Sequence, residues 1–222
     1  MMIAARNAFL MSGAKLPYDA EVEYLESTGT QYIDTGVIGG SATKVRIVAA
    51  SPNSASIASL FGARQGSSNR PSFGIWQRTN TNVGPAIRFD FNSATTDSVV
   101  GANAWLANAS NEVVKHGRYN LVNGAEVANN AAHSFSLSYP FFLLNINTNG
   151  VPTAYPFIGS LYACQIWDSG GVLIRDLIPV RVGSGSSAVG YLYDRANPTG
   201  GPIGNGLYPN AGTGSFILGP DK

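Results

Sequence analysis

The chain has 222 residues, of which 12% are charged, and its formal net charge is +1. That length suits one large β domain with a core of its own. The charge balance excludes the clustered basic surface of a nucleic-acid binder, and no run of like charges makes a polybasic membrane patch. The single cysteine, Cys164, excludes an internal disulfide framework and a cysteine-based zinc site. It lies in an apolar run and reads as a small buried hydrophobe.

Residues 1–17 differ from the rest. Ile3, Ala4, Phe9, Leu10 and Met11 would form one apolar face of a short helix, which Ser12-Gly13 ends and Pro17 follows. No basic region precedes this stretch, and Arg6 and Asn7 interrupt it, so it does not fit a secretory signal peptide. No segment approaches the roughly 18 apolar residues of a membrane span, so membrane insertion is not expected. An apolar stub needs burial, either on its own domain or on another chain. In the second case Ile3, Phe9, Leu10 and Met11 are the docking residues. Residues 1–17 are therefore read as an N-terminal extension and 18–222 as one domain.

From residue 18 onward the pattern is β. Residues 18–36 hold two short strand pieces around the turn at Ser27-Thr28-Gly29. Residues 44–49 alternate, with Val45, Ile47 and Ala49 on one face. Residues 58–63 and 72–78 are two further runs. In residues 86–92, Ile87, Phe89 and Phe91 face one way while Arg88, Asp90 and Asn92 face the other. Within residues 113–122 a turn falls at His116-Gly117, and another follows at Asn123-Gly124, where both residues tolerate the left-handed backbone of a type I′ turn. Residues 134–147 suggest a strand in which Phe142, Leu144 and Ile146 alternate against Leu143, Asn145 and Asn147, with Pro140 marking its start or a bend. Two apolar runs, 157–168 and 172–182, flank Ser169-Gly170-Gly171, a hairpin signal. No segment after residue 20 keeps apolar residues at helical spacing over three turns. Many short strands without helices predict an antiparallel two-sheet sandwich or jelly roll.

Particular stretches carry a family resemblance. F-I-G-S-L-Y-A-C-Q-I-W-D, at 157–168, resembles the F-x-G-x-I-x-x-x-x-I-Y-D strand of concanavalin A-like and laminin-G-like jelly rolls, and Y-N-L-V-N-G, at 119–124, resembles their Y-x-x-V-N-G hairpin. The opening E-Y-L-E-S-T-G-T-Q-Y-I-D-T-G and the closing V-G-Y-L-Y-D and N-A-G-T-G-S-F-I-L-G-P resemble a narrower set of single-domain proteins from gut bacteria and their phages, found among tail and surface-adhesion components. The resemblance spans residues 16–220. It implies two antiparallel sheets with the chain ends close together and a short N-terminal extension. It implies glycan or surface binding as a tendency, since this fold hosts lectins, hydrolases and structural modules alike.

Candidate chemistry follows from residue type. A glycosidase needs two carboxyl groups across a cleft. Glu21, Glu23 and Glu26 lack the alternation that hydrolases of this superfamily resemble one another in, and they read as exposed charges on an edge strand. His116 and His133 have neither a nucleophile elbow nor ligand spacing. No cofactor is expected. Calcium is left open by two loose oxygen sets, Asp90, Asn92 and Asp97 and then Asn145, Asn147 and Asn149, all of which also suit turns. Sugar recognition needs flat aromatic faces and planar polar groups. If the strands of Trp76 and Arg88 are hairpin neighbours, then Trp76, Arg78, Arg88 and Asp90 share a sheet face. Trp105, in a loop-like stretch, is the other candidate. Trp167 reads as strand packing. The sequence thus points to a non-enzymatic module of a phage tail or bacterial surface assembly that binds a cell-surface glycan or host surface. A bracing module of such a particle is the alternative and a glycosidase is third. Other assembly proteins would dock through residues 1–17, self-association is left open, and the expected location is a virion or extracellular surface.

Overall fold

The computed structural model describes residues 15–52, 57–66, 71–80, 84–99, 105–127 and 129–222. Ile3, Phe9, Leu10 and Met11, the residues expected to dock, lie outside them. The strands of the first half are β1 Ala20–Glu21, β2 Leu25–Thr28, β3 Ile33–Asp34, β4 Lys44–Ala50, β5 Ile57–Arg64, β6 Ser72–Asn80, β7 Gly84–Phe91, β8 Ser93–Val99 and β9 Asn111–His116. Those of the second half are β10 Tyr119–Val122, β11 Ala125–Glu126, β12 Phe142–Leu143, β13 Asn147–Thr148, β14 Val151–Pro152, β15 Ile158–Trp167, β16 Leu173–Val182, β17 Val189–Asp194, β18 Leu207–Tyr208 and β19 Ile217–Leu218. Among the described residues, helix is confined to a single 3₁₀ turn at Gly185–Ser187.

These strands build two sheets. The larger runs β11-β10-β9-β4-β15-β16-β17-β18, with β2 joining β15 to β19 and β1 on β16. The smaller runs β14-β13-β5-β6-β7-β8, with β12 bridging β5 and β3. Alternation decides which faces meet. Val45, Ile47 and Ala49 of β4 and Cys164 and Ile166 of β15 point inward from the larger sheet. Phe73 and Ile75 of β6 and Ile87, Phe89 and Phe91 of β7 meet them from the smaller one, in one continuous core. Cys164 is fully buried, and burial pushes its thiol well above its ordinary value, as befits an inert core residue.

Strand β15 is the hub of the larger sheet. It pairs with β4 along its length, with β2 along its first half and with β16 along its second. The predicted turn after it forms: the Asp168 side chain accepts from the amides of Gly170 and Val172, both at 2.9 Å, and closes the β15–β16 hairpin. The predicted type I′ turn also forms, with φ of 51° at Asn123 and 79° at Gly124. The first and last strands are neighbours, as the resemblance implied: Val22 bridges Asp221, and the Lys222 amide donates to the Glu21 carbonyl at 3.0 Å.

Three expectations need correction. Residues 134–147 are not one alternating strand. Residues 141–147 are all buried, and the chain reverses between β12, antiparallel to β5, and β13, parallel to it. Leu144 turns the corner with φ of 67°, a conformation that costs a non-glycine residue about 1–2 kcal/mol and that period-2 patterning cannot reveal. Second, β2 is no edge. Glu26 sits between Ser160 of β15 and Ile217 of β19. Third, β8 was missed, because its sequence S-A-T-T-D-S-V has no apolar alternation.

At Gly159 the φ is 147°, and a Cβ there would come 2.1 Å from the Ala50 carbonyl oxygen on β4. Gly159→Ala is therefore expected to cost more than about 1 kcal/mol, read from the denaturant midpoint. An unchanged midpoint would mean that the β15–β4 ladder spreads without penalty.

Candidate functional site

The structure assembles the residues predicted from sequence and then closes them off. β6 and β7 are hairpin neighbours with Trp76 opposite Arg88 and Gly74 opposite Asp90, so Trp76, Arg78, Arg88 and Asp90 do share the outer face of the smaller sheet. Trp76, however, is 2% exposed. Its Nε1 donates to Asp90 Oδ2 at 2.6 Å, and Arg88 Nε donates to Asp90 Oδ1 at 2.7 Å. The Arg64 and Arg88 guanidinium carbons lie 5.4 and 6.0 Å from the indole centre. Asp90 is a buried carboxylate that needs both partners, and that need pins the indole inside the network. Trp76 offers no free face for a sugar. Trp105 is 1% exposed and lies edge-on to Phe157 at 6.4 Å, so it belongs to the core and not to a loop surface. The asparagines have local duties: Asn145 Oδ1 accepts the amides of Ile146 and Thr153, and Asn147 Oδ1 accepts that of Gly150. On this geometry Trp76→Ala should lower stability by about 3–5 kcal/mol, measured by thermal or chemical unfolding. A loss below about 1 kcal/mol would mean the indole is not held as described.

The opposite side of the molecule is open. On the outer face of the larger sheet the register aligns Tyr119, His116, Lys44, Trp167 and Leu173 in one row across β10, β9, β4, β15 and β16. The next row holds a polar ladder. Arg46 donates to Glu112 at 2.6 Å and to Gln165 at 3.3 Å, Gln165 donates to Asp176 at 3.0 Å, and Arg195 donates to Asp176 at 2.9 Å. In the first row Lys44 Nζ lies 4.5 Å from the Trp167 ring centre, Tyr119 is 47% exposed and His116 is exposed. Three strand spacings separate Tyr119 from Trp167, about 14 Å.

A cleft of about 200 Å³ opens at the Tyr119 end of this row. Its walls are Ser41 and Ala42, the β9–β10 hairpin from His116 to Tyr119, and Ala132 with His133; Phe91 lies at its floor. Gly117 lets the walls approach: a Cβ there would sit 2.6 Å from the Ser41 carbonyl oxygen. Arg118 stacks over Tyr119 at 4.7 Å and donates to its hydroxyl at 2.9 Å. The Asn130 amide donates to the Arg118 carbonyl at 3.0 Å and ties the His133 loop to the hairpin.

Beneath this floor lies Lys115, 0% exposed and inside the sandwich. Its Nζ is 5.0, 5.6 and 5.0 Å from the ring centres of Phe73, Phe89 and Phe91, and it donates to Asn120 and Asn130 Oδ1, both at 3.1 Å. Burial lowers its pKa to about 7, against a weaker upward pull from Asp90. Below pH 7 the lysine is charged in both folded and unfolded chains, and the burial penalty applies in full. Between about pH 7 and the ordinary lysine value near 10.4, the folded chain holds it neutral while the unfolded chain holds it charged. Stability should therefore rise with pH across that window, by up to about 1.4 kcal/mol per unit. Denaturant titrations from pH 6 to 10 should show this rise in the wild type and a flatter profile in Lys115→Met. Parallel profiles would mean that the ammonium is not desolvated.

No protein-family model matches the chain, and no curated protein matches it. Solved structures do. The Ruminococcus gnavus IT-sialidase CBM40 bound to alpha2,3 sialyllactose superposes with a TM-score of 0.50 at 18% identity, over 68% of this chain and 91% of that one. A putative carbohydrate-binding protein from Bacteroides ovatus gives 0.54 at 10% identity, over 91% of this chain and 61% of that one. At such identities the likeness speaks to architecture. The chain has an antiparallel two-sheet jelly-roll sandwich fold, shared with these structures.

Tyr119, Arg118 and the Lys44–Trp167 pair are not singled out as a site by local pattern. The usable signal is an aromatic and an arginine directly after the glycine turn at Gly117, a position where both side chains stay at least partly exposed.

Proposed function

We propose that the chain is a non-enzymatic module that binds a glycan on a surface, with the open cleft beside Tyr119 as its site. The observation that carries this is the pairing of an exposed, guanidinium-braced aromatic ring with a concave, mostly apolar pocket edged by a few polar side chains. A pyranose lays its apolar face on such a ring while neighbouring donors hold its hydroxyls. The sialidase CBM40 bound to alpha2,3 sialyllactose and the putative carbohydrate-binding protein, on the same fold, support the same reading. The Tyr119–Trp167 row extends the platform beyond one sugar. Catalysis is the less favoured role: Glu21 lies on β1, Glu26 on β2 and Glu23 between them, spread along the strand direction and not paired across the cleft. The setting in a phage tail or bacterial surface assembly rests on the end motifs and is part of the proposal.

A bracing module is the second reading, and the burial of both Trp76 and Trp105 favours it. The two separate on a glycan array with the intact chain. Tyr119→Ala should lower binding about tenfold or more, as loss of an aromatic anchor does, and leave stability within about 0.5 kcal/mol because the ring is exposed. No binding of the wild type to any glycan would reject the lectin reading and leave the bracing module.

A further inference from the structure

The formal charge around the cleft is one-sided. Arg118 lines it together with the imidazoles of His116 and His133, Lys44 is the next residue along the row, and no carboxylate is among the described lining residues. Arg118 has donors and no acceptor, and the Tyr119 oxygen already accepts from it. The Ser41 hydroxyl and the imidazoles can serve neutral hydroxyls, but the one formal charge among the described lining residues is positive.

The second observation is independent and lies below the floor. Lys115 is buried with neutral partners, the amide oxygens of Asn120 and Asn130. The groups around it are Phe73, Phe89 and Phe91 from the smaller sheet, Val45 on β4, Asn120 on β10 and the Asn130 loop, with His116, Arg118 and His133 toward the cleft. Asp90 is the carboxylate that acts on it, from the far side of β7, where it already serves Arg88 and Trp76. Phe91 belongs both to the cage around Lys115 and to the cleft floor. Lys115 thus stands one aromatic ring below an open pocket that has no carboxylate among its described lining residues.

We propose that the ligand of this cleft is an anionic glycan, carboxylated or sulfated, with Arg118 as the direct counter-charge and Lys115 as a buried one. This rests on the glycan reading above. An anion seated over Phe91 favours the charged form of Lys115, so binding near neutrality draws a proton from solution. The mutual stabilisation is reciprocal: protonation of Lys115 tightens the site by the same factor.

The test uses the intact chain on an array of sialylated, uronate-bearing and sulfated glycans, each printed beside its neutral parent. The acidic members should bind and the parents should not, binding should fall as salt is raised, and Arg118→Gln should weaken it about tenfold or more. Whether carboxylates or sulfates are retained identifies the source of the charge. The best-bound acidic glycan is then titrated by calorimetry at pH 7.5 in two buffers of different ionisation enthalpy. Proton uptake should appear in the wild type and shrink in Lys115→Met, a readout that mere destabilisation does not move. If that variant does not fold, the buffer-dependent uptake of the double variant His116→Gln, His133→Gln decides, because the lining imidazoles no longer contribute. Equal binding of acidic and neutral partners, lost in Tyr119→Ala, overturns the anionic inference and leaves the glycan reading standing. Silence from every glycan overturns both. Acidic binding untouched by Arg118→Gln and without proton uptake overturns the assignment to this cleft.

Discussion

The larger sheet depends on one shared strand. β15 gives hydrogen bonds to β4 on one side and to β2 and β16 on the other, so its register sets theirs. Shifting that register by one residue would exchange Cys164 and Ile166 with Gln165 and Trp167 and turn the core outward. The row on which the cleft sits is a product of the same constraint. Lys44 stands beside Trp167 and His116 beside Lys44 because β15 holds β4 and β4 holds β9. The candidate site sits toward the β11 end of the sheet, on the β9–β10 hairpin, and its register is tied to the β15 hub through β4 and β9.

Polar groups inside the sandwich are placed with equal economy. Lys115 finds amide oxygens and aromatic faces where a hydrocarbon would also fit. Asp194, fully buried on β17, accepts from the amides of Asp176 and Ala196 and lies 3.7 Å from Arg175. Burial still raises its pKa, the backbone bonds notwithstanding. Arg175 in turn donates to the Thr35 carbonyl and approaches Tyr208, so one ion pair joins β16, β17, β18 and the loop after β3. Such groups add little net stability but penalise any alternative packing that leaves them alone.

How much of this was legible in the sequence depends on the length scale. Alternation in residues 44–49 and 86–92 and the glycine-bearing turns at 123–124 and 169–171 are local signals, and each predicted its element. The reversal at Leu144 is set by pairing with β5 from two directions, which no local pattern contains. Trp76 illustrates the limit for site residues. The hairpin could be inferred, but an indole flanked by Arg and Asp reads the same whether those groups face a sugar or each other. Lys115 was invisible because its neighbours Val113 and Val114 suit either face, and its cage comes from the opposite sheet.

The close approach of Glu21 and Lys222 has a mechanical consequence. From Lys222 back to Ile217 the last strand pairs antiparallel with residues 21–26, and both segments leave this ladder at the same end. A pull applied between the ends loads its rungs one at a time: first Glu21 with Lys222 and the Arg181–Asp221 clip, then Val22 with Asp221, then Leu25 with Leu218. Rungs opened in sequence yield at far lower force than rungs sheared together. Tension transmitted through both ends would thus peel β19 away from β2 while β15, which holds β2 from the other side, carries the reaction and β4 and β9 stay outside the opening ladder.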